Sequence, residues 1–405
     1  MGHPTVYPTG VTIYDTGAAQ NGYTVVNTAE GAFLIDMNGS AHDAPPAEAG
    51  KNSLLVEEQT VHNPAVSGKT LLDSKIVEKD PRGETVWSWL ASEHFDELGF
   101  DEAAKNTLYR LPSPERSHGG SGYWLAIQSV SALGANKWHD AGDERFCPDN
   151  VIWSARNANI IGIIDKKTGR VAYRLGPDFR HTRFGAIIGC SHVSLIPKSL
   201  PGEGNLLVFD SGGEAGYGAP HDAAFDGTAE ARRDYSRVLE INPATFEVEW
   251  QYTPQEAGHI HPLDSYKFYS PFGGSAQRLA NGNTLICEAG NGRVFEVTRE
   301  HKTVWEYVSP RFSAKHGRIG NRLSGAFRVS YESAPNIRRT AETGVAAPNV
   351  TRLRVNGAPL GPGGRVTKVK GVNPVRANLV EDPFRAAVSA QNAPSNFCVV
   401  KSGDT

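Results

Sequence analysis

What the sequence lacks narrows its class before any motif is read. No run of about 18 apolar residues is present, so no helical membrane span is expected. The opening residues Met1-Gly2-His3-Pro4-Thr5-Val6 have neither the basic start nor the apolar stretch of a secretory leader, and Val6 stands where myristoylation wants serine or threonine. As it stands the chain reads as cytoplasmic, or as periplasmic or secreted where a leader has been removed. Cys147, Cys190, Cys287 and Cys398 lie far apart, with no Cys-x-x-Cys pair and no histidine at ligand spacing, which speaks against zinc and against a disulfide framework. Cys287, inside Leu285-Ile286-Cys287, reads as a small buried hydrophobe. Charge of one sign is missing too, since a net −3 over 405 residues gives no global pull toward nucleic acid or a membrane.

What is present is punctuation. Glycine and proline, 43 and 25 residues, separate short runs rich in Val, Ile, Tyr and Trp, the mark of many strands joined by tight turns. One hairpin pattern returns: an apolar doublet, an acidic residue or asparagine, a turn, then a β-branched residue and an aromatic. It is seen in Phe33–Gly39, in Ile76–Gly83 with Trp87, and in Ile163–Gly169 with Tyr173. Val238–Pro243 with Trp250 and Phe295–Thr298 with Trp305 repeat it. Ahead of most copies stands an asparagine followed by apolar residues, at Asn52, Asn150, Asn205 and Asn283. An inner strand and two hairpin strands, repeated, predict the blades of an all-β β-propeller, whose central channel is the expected seat of function. Residues 1–335 form that domain.

Two stretches break the repeat. Residues 92–110 begin with an N-cap and an acidic turn and carry helical spacing, which predicts one inserted helix; residues 213–236 read as a long loop over one face. Past residue 335 the pattern stops. Residues 336–405 are basic and rich in Gly and Pro, without aromatics interleaved for base stacking, and read as a poorly ordered solvated tail.

Candidate site residues cluster at strand heads. His192 opens the strand Gly189-Cys190-Ser191-His192-Val193. Ser275 and Gln277, two apart, share a face at the head of the last inner strand and could bond a ligand in the channel. His259 and His261 also share a face, but two ligands without a third make no metal site, so a loop or rim role is preferred. Asp140, Asp143 and Glu144 beside His139 read as turn chemistry. Tyr123, Trp124, Tyr266, Tyr269 and Phe272 could wall a phenolic site, with packing between blades as the plainer reading. His118 reads as a solvated loop residue.

Longer motifs carry a resemblance. His3–Gly10, Ile35–Gly39, His94–Phe100, Gly134–Phe146, Leu206–Asp210 and Gln277–Ile286 resemble the bacterial aryl-sulfate sulfotransferases, over a span from the N-terminus to about Ser333. The resemblance implies a six-bladed propeller, with no cofactor and no metal. It also implies sulfuryl transfer from a phenolic sulfate ester to an acceptor phenol through a sulfohistidine. Sulfuryl transfer spreads negative charge over non-bridging oxygens, so cationic and amide donors should ring the nucleophile, and a second histidine should protonate the leaving phenolate. In family terms Arg156 clamps the sulfate oxygens, and Gln128 and Ser191 lie beside the anion site.

The family's pattern is broken in three places. Its His-x-Asn-Ser element aligns with Ala126-Ile127-Gln128-Ser129, and alanine transfers no proton. Its nucleophile aligns with Ser191, one step before His192; strand alternation would then aim His192 away from the channel unless a bulge restores it. Between Gly39 and Lys51 most of one blade is missing, leaving His42-Asp43, so the ring is either incomplete or closes by another route. Two readings follow: a sulfotransferase-like enzyme using His192 and Arg156, or a catalytically impaired propeller that binds anionic or phenolic ligands. Small-molecule partners are expected in both, a homodimer is allowed, and neither nucleic acid nor membrane is.

Overall fold

The computed structural model describes residues 9–43, 50–114, 122–219, 227–315 and 318–347. The strands in chain order are β1 (Gly10–Tyr14), β2 (Tyr23–Thr28), β3 (Gly31–Ile35), β4 (Ala41–Asp43), β5 (Ser53–Val61), β6 (Leu71–Lys79) and β7 (Thr85–Leu90). After helix α1 (Glu102–Arg110) come β8 (Ile127–Ala132), the short helix α2 (Lys137–Asp140), β9 (Val151–Ala155), β10 (Ile160–Ile164) and β11 (Val171–Leu175). Then follow β12 (Cys190–Leu195), β13 (Leu206–Asp210), β14 (Arg237–Ile241), β15 (Val248–Tyr252), β16 (Ser275–Arg278), β17 (Thr284–Glu288), β18 (Arg293–Val297) and β19 (Thr303–Val308). A small hairpin, β20 (Ser313–Lys315) and β21 (Arg318–Gly320), precedes β22 (Gly325–Val329).

These strands make five antiparallel blades, not six. In order they are β22-β2-β3-β4, β5-β6-β7, β8 to β11, β12 to β15, and β16 to β19 with β1 added at the outer edge. The ring is laced by the chain's two ends, because β22 from the C-terminal side supplies the inner strand of the blade that β2 begins. Cores of aliphatic and aromatic side chains fill the spaces between blades.

The second blade is the short one, and direction shows what it lacks. Each second strand β9, β13 and β17 lies against the inner strand of the following blade, and β5 lies against β8 in the same way. The start of β6 sits at the head of β8, where the Ile127 amide donates to Ser74 Oγ (3.2 Å) and Trp124 Nε1 to Asp73 (3.0 Å). So β5 is a second strand, as its leading Asn52 also implies, and the second blade has no inner strand among the described residues. Among the described residues the shortfall read between Gly39 and Lys51 is therefore the inner strand of the second blade.

A recurring clasp explains three of the four signature asparagines, while Asn150 donates to the Glu144 (3.3 Å) and Arg145 (3.0 Å) carbonyls instead. Asn205 Nδ2 donates to Glu240 of β14 (2.8 Å) and Asn283 Nδ2 to Glu296 of β18 (2.7 Å). Each buried glutamate pairs with an arginine on the next inner strand, Arg278 (2.8 Å) or Arg328 (3.5 Å), which lies over the outer tryptophan, Trp250 or Trp305. Asn52 repeats the first step with Glu78 (2.9 Å), whose cation is Lys166 (2.5 Å). Buried charge is tolerated because every carboxylate is both paired and hydrogen-bonded.

The single helix expected over residues 92–110 is two pieces. A 3-10 turn covers Ala91–Glu97, and α1 starts anew at Asp101, whose side chain caps the Ala104 amide (2.8 Å). Gly99 makes the break: its φ is +78°, and a β-carbon there would collide with the Arg174 guanidinium. Residues 331–345 return over the first blade, where Tyr331, Ala334 and Ile337 pack on Tyr23 and Leu34, and Val345 bridges to Tyr14. The remaining tail and His118 lie outside the described residues. No helix among the described residues is long and apolar enough to cross a membrane.

Candidate active site at the channel mouth

Arg156 lies where the end of β9 meets the heads of β8 and β12. It follows β9, and its amide donates to the Ala126 carbonyl (2.9 Å) at the head of β8. Its guanidinium is fully buried. It donates to Asn157 Oδ1 (3.0 Å) and to the Pro271 carbonyl (3.0 Å), while Nε is enclosed without a partner. No carboxylate of the described residues forms an ion pair with it. Burial pulls its pKa below the usual arginine range, and the more distant Glu230 and Glu214 oppose that pull. Phe272 lies over the guanidinium at 5.0 Å while more than half exposed. Gly189 adjoins this group at a left-handed φ of +68°, where a β-carbon would be in ordinary contact with Arg156 Nη2 (3.6 Å) and closer to the Gly213 carbonyl (3.3 Å).

A bulge at the head of β12 decides the aim of His192. Cys190 pairs with Asp210 and His192 with Phe209, so Ser191 is the extra residue. Without the bulge Cys190 and His192 would share a face. With it, Cys190 joins Val193 and Leu195 in the core between blades, while the His192 ring leaves that core and meets Phe327 of β22, 5.4 Å between centroids. His192 Nδ1 is enclosed and unpartnered, and burial pushes the ring's pKa down to about 4. At neutral pH the imidazole is neutral and can act as a nucleophile, not as an acid.

The other candidates have fixed places. Ser191 turns its hydroxyl to Ser211 Oγ (2.9 Å) and the Gly274 carbonyl (3.1 Å). Gln128 occupies the matching bulge of β8 and is exposed. Ser275 Oγ bonds both backbone groups of Ala326 (3.1 and 3.3 Å), and Gln277 does the same for Arg328 (2.6 and 3.0 Å). Those two side chains tie β16 to β22, so their polar atoms are engaged with backbone. Tyr123 and Tyr269 lie near enough for their charge to act on Arg156, and burial raises the pKa of both phenols. His261 is held by Ser265 Oγ (2.7 Å) and the Tyr235 ring. Asp143 caps and pairs with Arg145. Among the described residues no three His, Cys, Asp or Glu side chains converge as metal ligands.

Phe327 was not visible as a site residue in the sequence. Its strand is far from His192 in the chain, and only ring closure brings the two together.

The fold now defines a class, a β-propeller with a buried arginine at the end of β9 and an enclosed histidine at the head of β12. The chain belongs to the arylsulfotransferase (ASST) family, whose model matches residues 40–310. No curated protein matches the sequence. Among solved structures it is similar to a protein of unknown function from Bacteroides caccae (16% identity, 75% of this chain and 82% of that one, TM-score 0.33). It is also similar to virginiamycin B lyase from Staphylococcus aureus (11%, 75% and 75%, 0.28) and to Saccharomyces cerevisiae Sqt1 (11%, 76% and 69%, 0.30). Likenesses this distant carry nothing about activity.

Proposed function

We propose that this propeller moves a sulfuryl group from a phenolic sulfate ester to a phenol, with His192 as nucleophile and Arg156 as anion clamp. The observation that carries the reading is the buried Arg156 guanidinium, which has no carboxylate partner and an idle Nε–H at the mouth of the channel. A buried, unneutralised cation favours an anion, and a tetrahedral sulfate offers several acceptor oxygens to its planar fork. With its proton on Nδ1, His192 presents the Nε2 lone pair. Attack forms an N–S bond as the S–O bond to the aryl group breaks, and the electron pair leaves on the phenolate, which takes its proton from water. The acceptor phenol reverses these steps: its proton passes to the hydroxide that water left, its oxygen bonds to sulfur, and the N–S bond breaks to return its electron pair to Nε2.

One observation favours the second reading, a propeller that binds but does not transfer. Ala126 holds the position at the head of β8 where the family carries a histidine, and the described mouth offers no replacement acid next to His192. The assay uses 4-nitrophenyl sulfate with phenol and follows nitrophenolate release together with acid-labile sulfate on histidine. Turnover lost in His192→Ala supports transfer. If wild-type protein gives no more product than that variant yet binds the ester, the binding reading replaces it.

A further inference from the structure

Among the described residues the second blade has no inner strand, which leaves a strand-shaped place with a defined partner. In the other four blades an inner strand of four to six residues lines the channel beside the second strand. In the second blade β5 takes the edge, paired among the described residues on one side only, with β6. It spans nine residues, and Ser53, Leu55 and Glu57 to Thr60 are exposed along it. Such a row of backbone donors and acceptors is a template for a further strand.

We propose that this edge binds an extended peptide segment by strand addition, antiparallel to β5, and that the segment is basic at its centre. The polarity follows from the fold, because every inner strand runs antiparallel to its second strand. The charge follows from Glu57 and Glu58, which stand at the middle of β5. Cross-strand neighbours of opposite charge are favourable and like charges opposed are not. A second copy of β5 is thereby disfavoured as occupant, since a two-fold antiparallel pairing would set the glutamates of both copies against each other. Glu57 already holds Lys79 (2.6 Å), so the incoming cation joins a surface pair and does not neutralise an isolated charge. Leu55, 44% exposed, gives the incoming strand an apolar neighbour. Main-chain bonds supply affinity in this mode of recognition, and the alternate side chains supply the choice of partner.

The test uses the whole protein and synthetic heptapeptides that alternate valine with lysine and threonine, labelled for fluorescence anisotropy. Two further peptides carry N-methyl groups on one or the other set of alternate amides, and a fourth has glutamate in place of lysine. The lysine peptide should bind saturably and raise the melting temperature. One of the two N-methylated forms should lose binding, and the glutamate peptide should bind about fivefold more weakly. Glu57→Lys, checked for native melting, should reverse the preference between the lysine and glutamate peptides. No saturable binding at millimolar lysine peptide overturns the proposal, as does equal binding by both N-methylated forms. A dimer that dissociates in Glu57→Lys and resists the peptide would assign the edge to a second copy and overturn the occupant named here.

Discussion

Arg156 and His192 make the sharpest residue-level predictions because each is enclosed with an unused nitrogen. Arg156→Lys keeps the charge but loses the planar fork, so kcat/KM with 4-nitrophenyl sulfate should fall about 100-fold, as when an oriented anion donor is removed. Initial rates with matched circular dichroism would check it. For His192 the sign is set by a folded pKa near 4 against an ordinary value of 6.5. The unfolded chain binds a proton that the folded chain refuses, so the neutral ring's contribution is whole above pH 6.5 and is lost as pH falls toward 4. Relative to His192→Gln, wild-type protein should lose about 2 kcal/mol between pH 7 and pH 5. Urea unfolding of both proteins at the two pH values measures the difference; parallel curves would place the ring in water.

At the scale of elements, the ties between blades explain residues that a site-centred reading assigns to a ligand. Ser275 and Gln277 do share a face, as strand alternation requires, but that face looks at the backbone of β22. Gln277→Leu leaves the Arg328 amide and carbonyl without partners and should cost roughly 2 kcal/mol in urea unfolding, with activity per folded molecule unchanged. A loss of ester binding with unchanged stability would instead return Gln277 to the channel. The asparagine that heads most second strands was legible as a repeat, yet its reason was not. Its amide reaches a glutamate 26 to 35 residues ahead at Asn52 and Asn205, a pairing that becomes visible only when second and third strands lie side by side. Apolar spacing persists across Gly99 and predicts one helix over 92–110, while the break comes from the left-handed φ of Gly99.

For the whole molecule, the question is how a ring short of one strand holds together. The segment 331–345 covers the exposed side of the first blade, and Glu342 accepts from both the Tyr14 (2.9 Å) and Tyr331 hydroxyls. Truncation after Ser330 uncovers Tyr23 and Leu34 and removes these bonds. The melting temperature should drop by about 2 to 3 °C, read by calorimetry, because a loss near 1 to 2 kcal/mol moves a chain of this size by that much. An unchanged melting temperature would show that the first blade needs no cover there.

The sequence by itself determined the all-β repeat, the propeller and the family, since strand periodicity and turn residues are written locally in the blades. It also marked the place where a strand is missing. Only the tertiary structure decided that five blades close the ring, that a bulge turns His192 out of the core toward Phe327, and that Arg156 is buried without a counter-charge. Each of those depends on which strands become neighbours and on what remains unpaired after they do. That is a property of the closed ring and not of any stretch of chain.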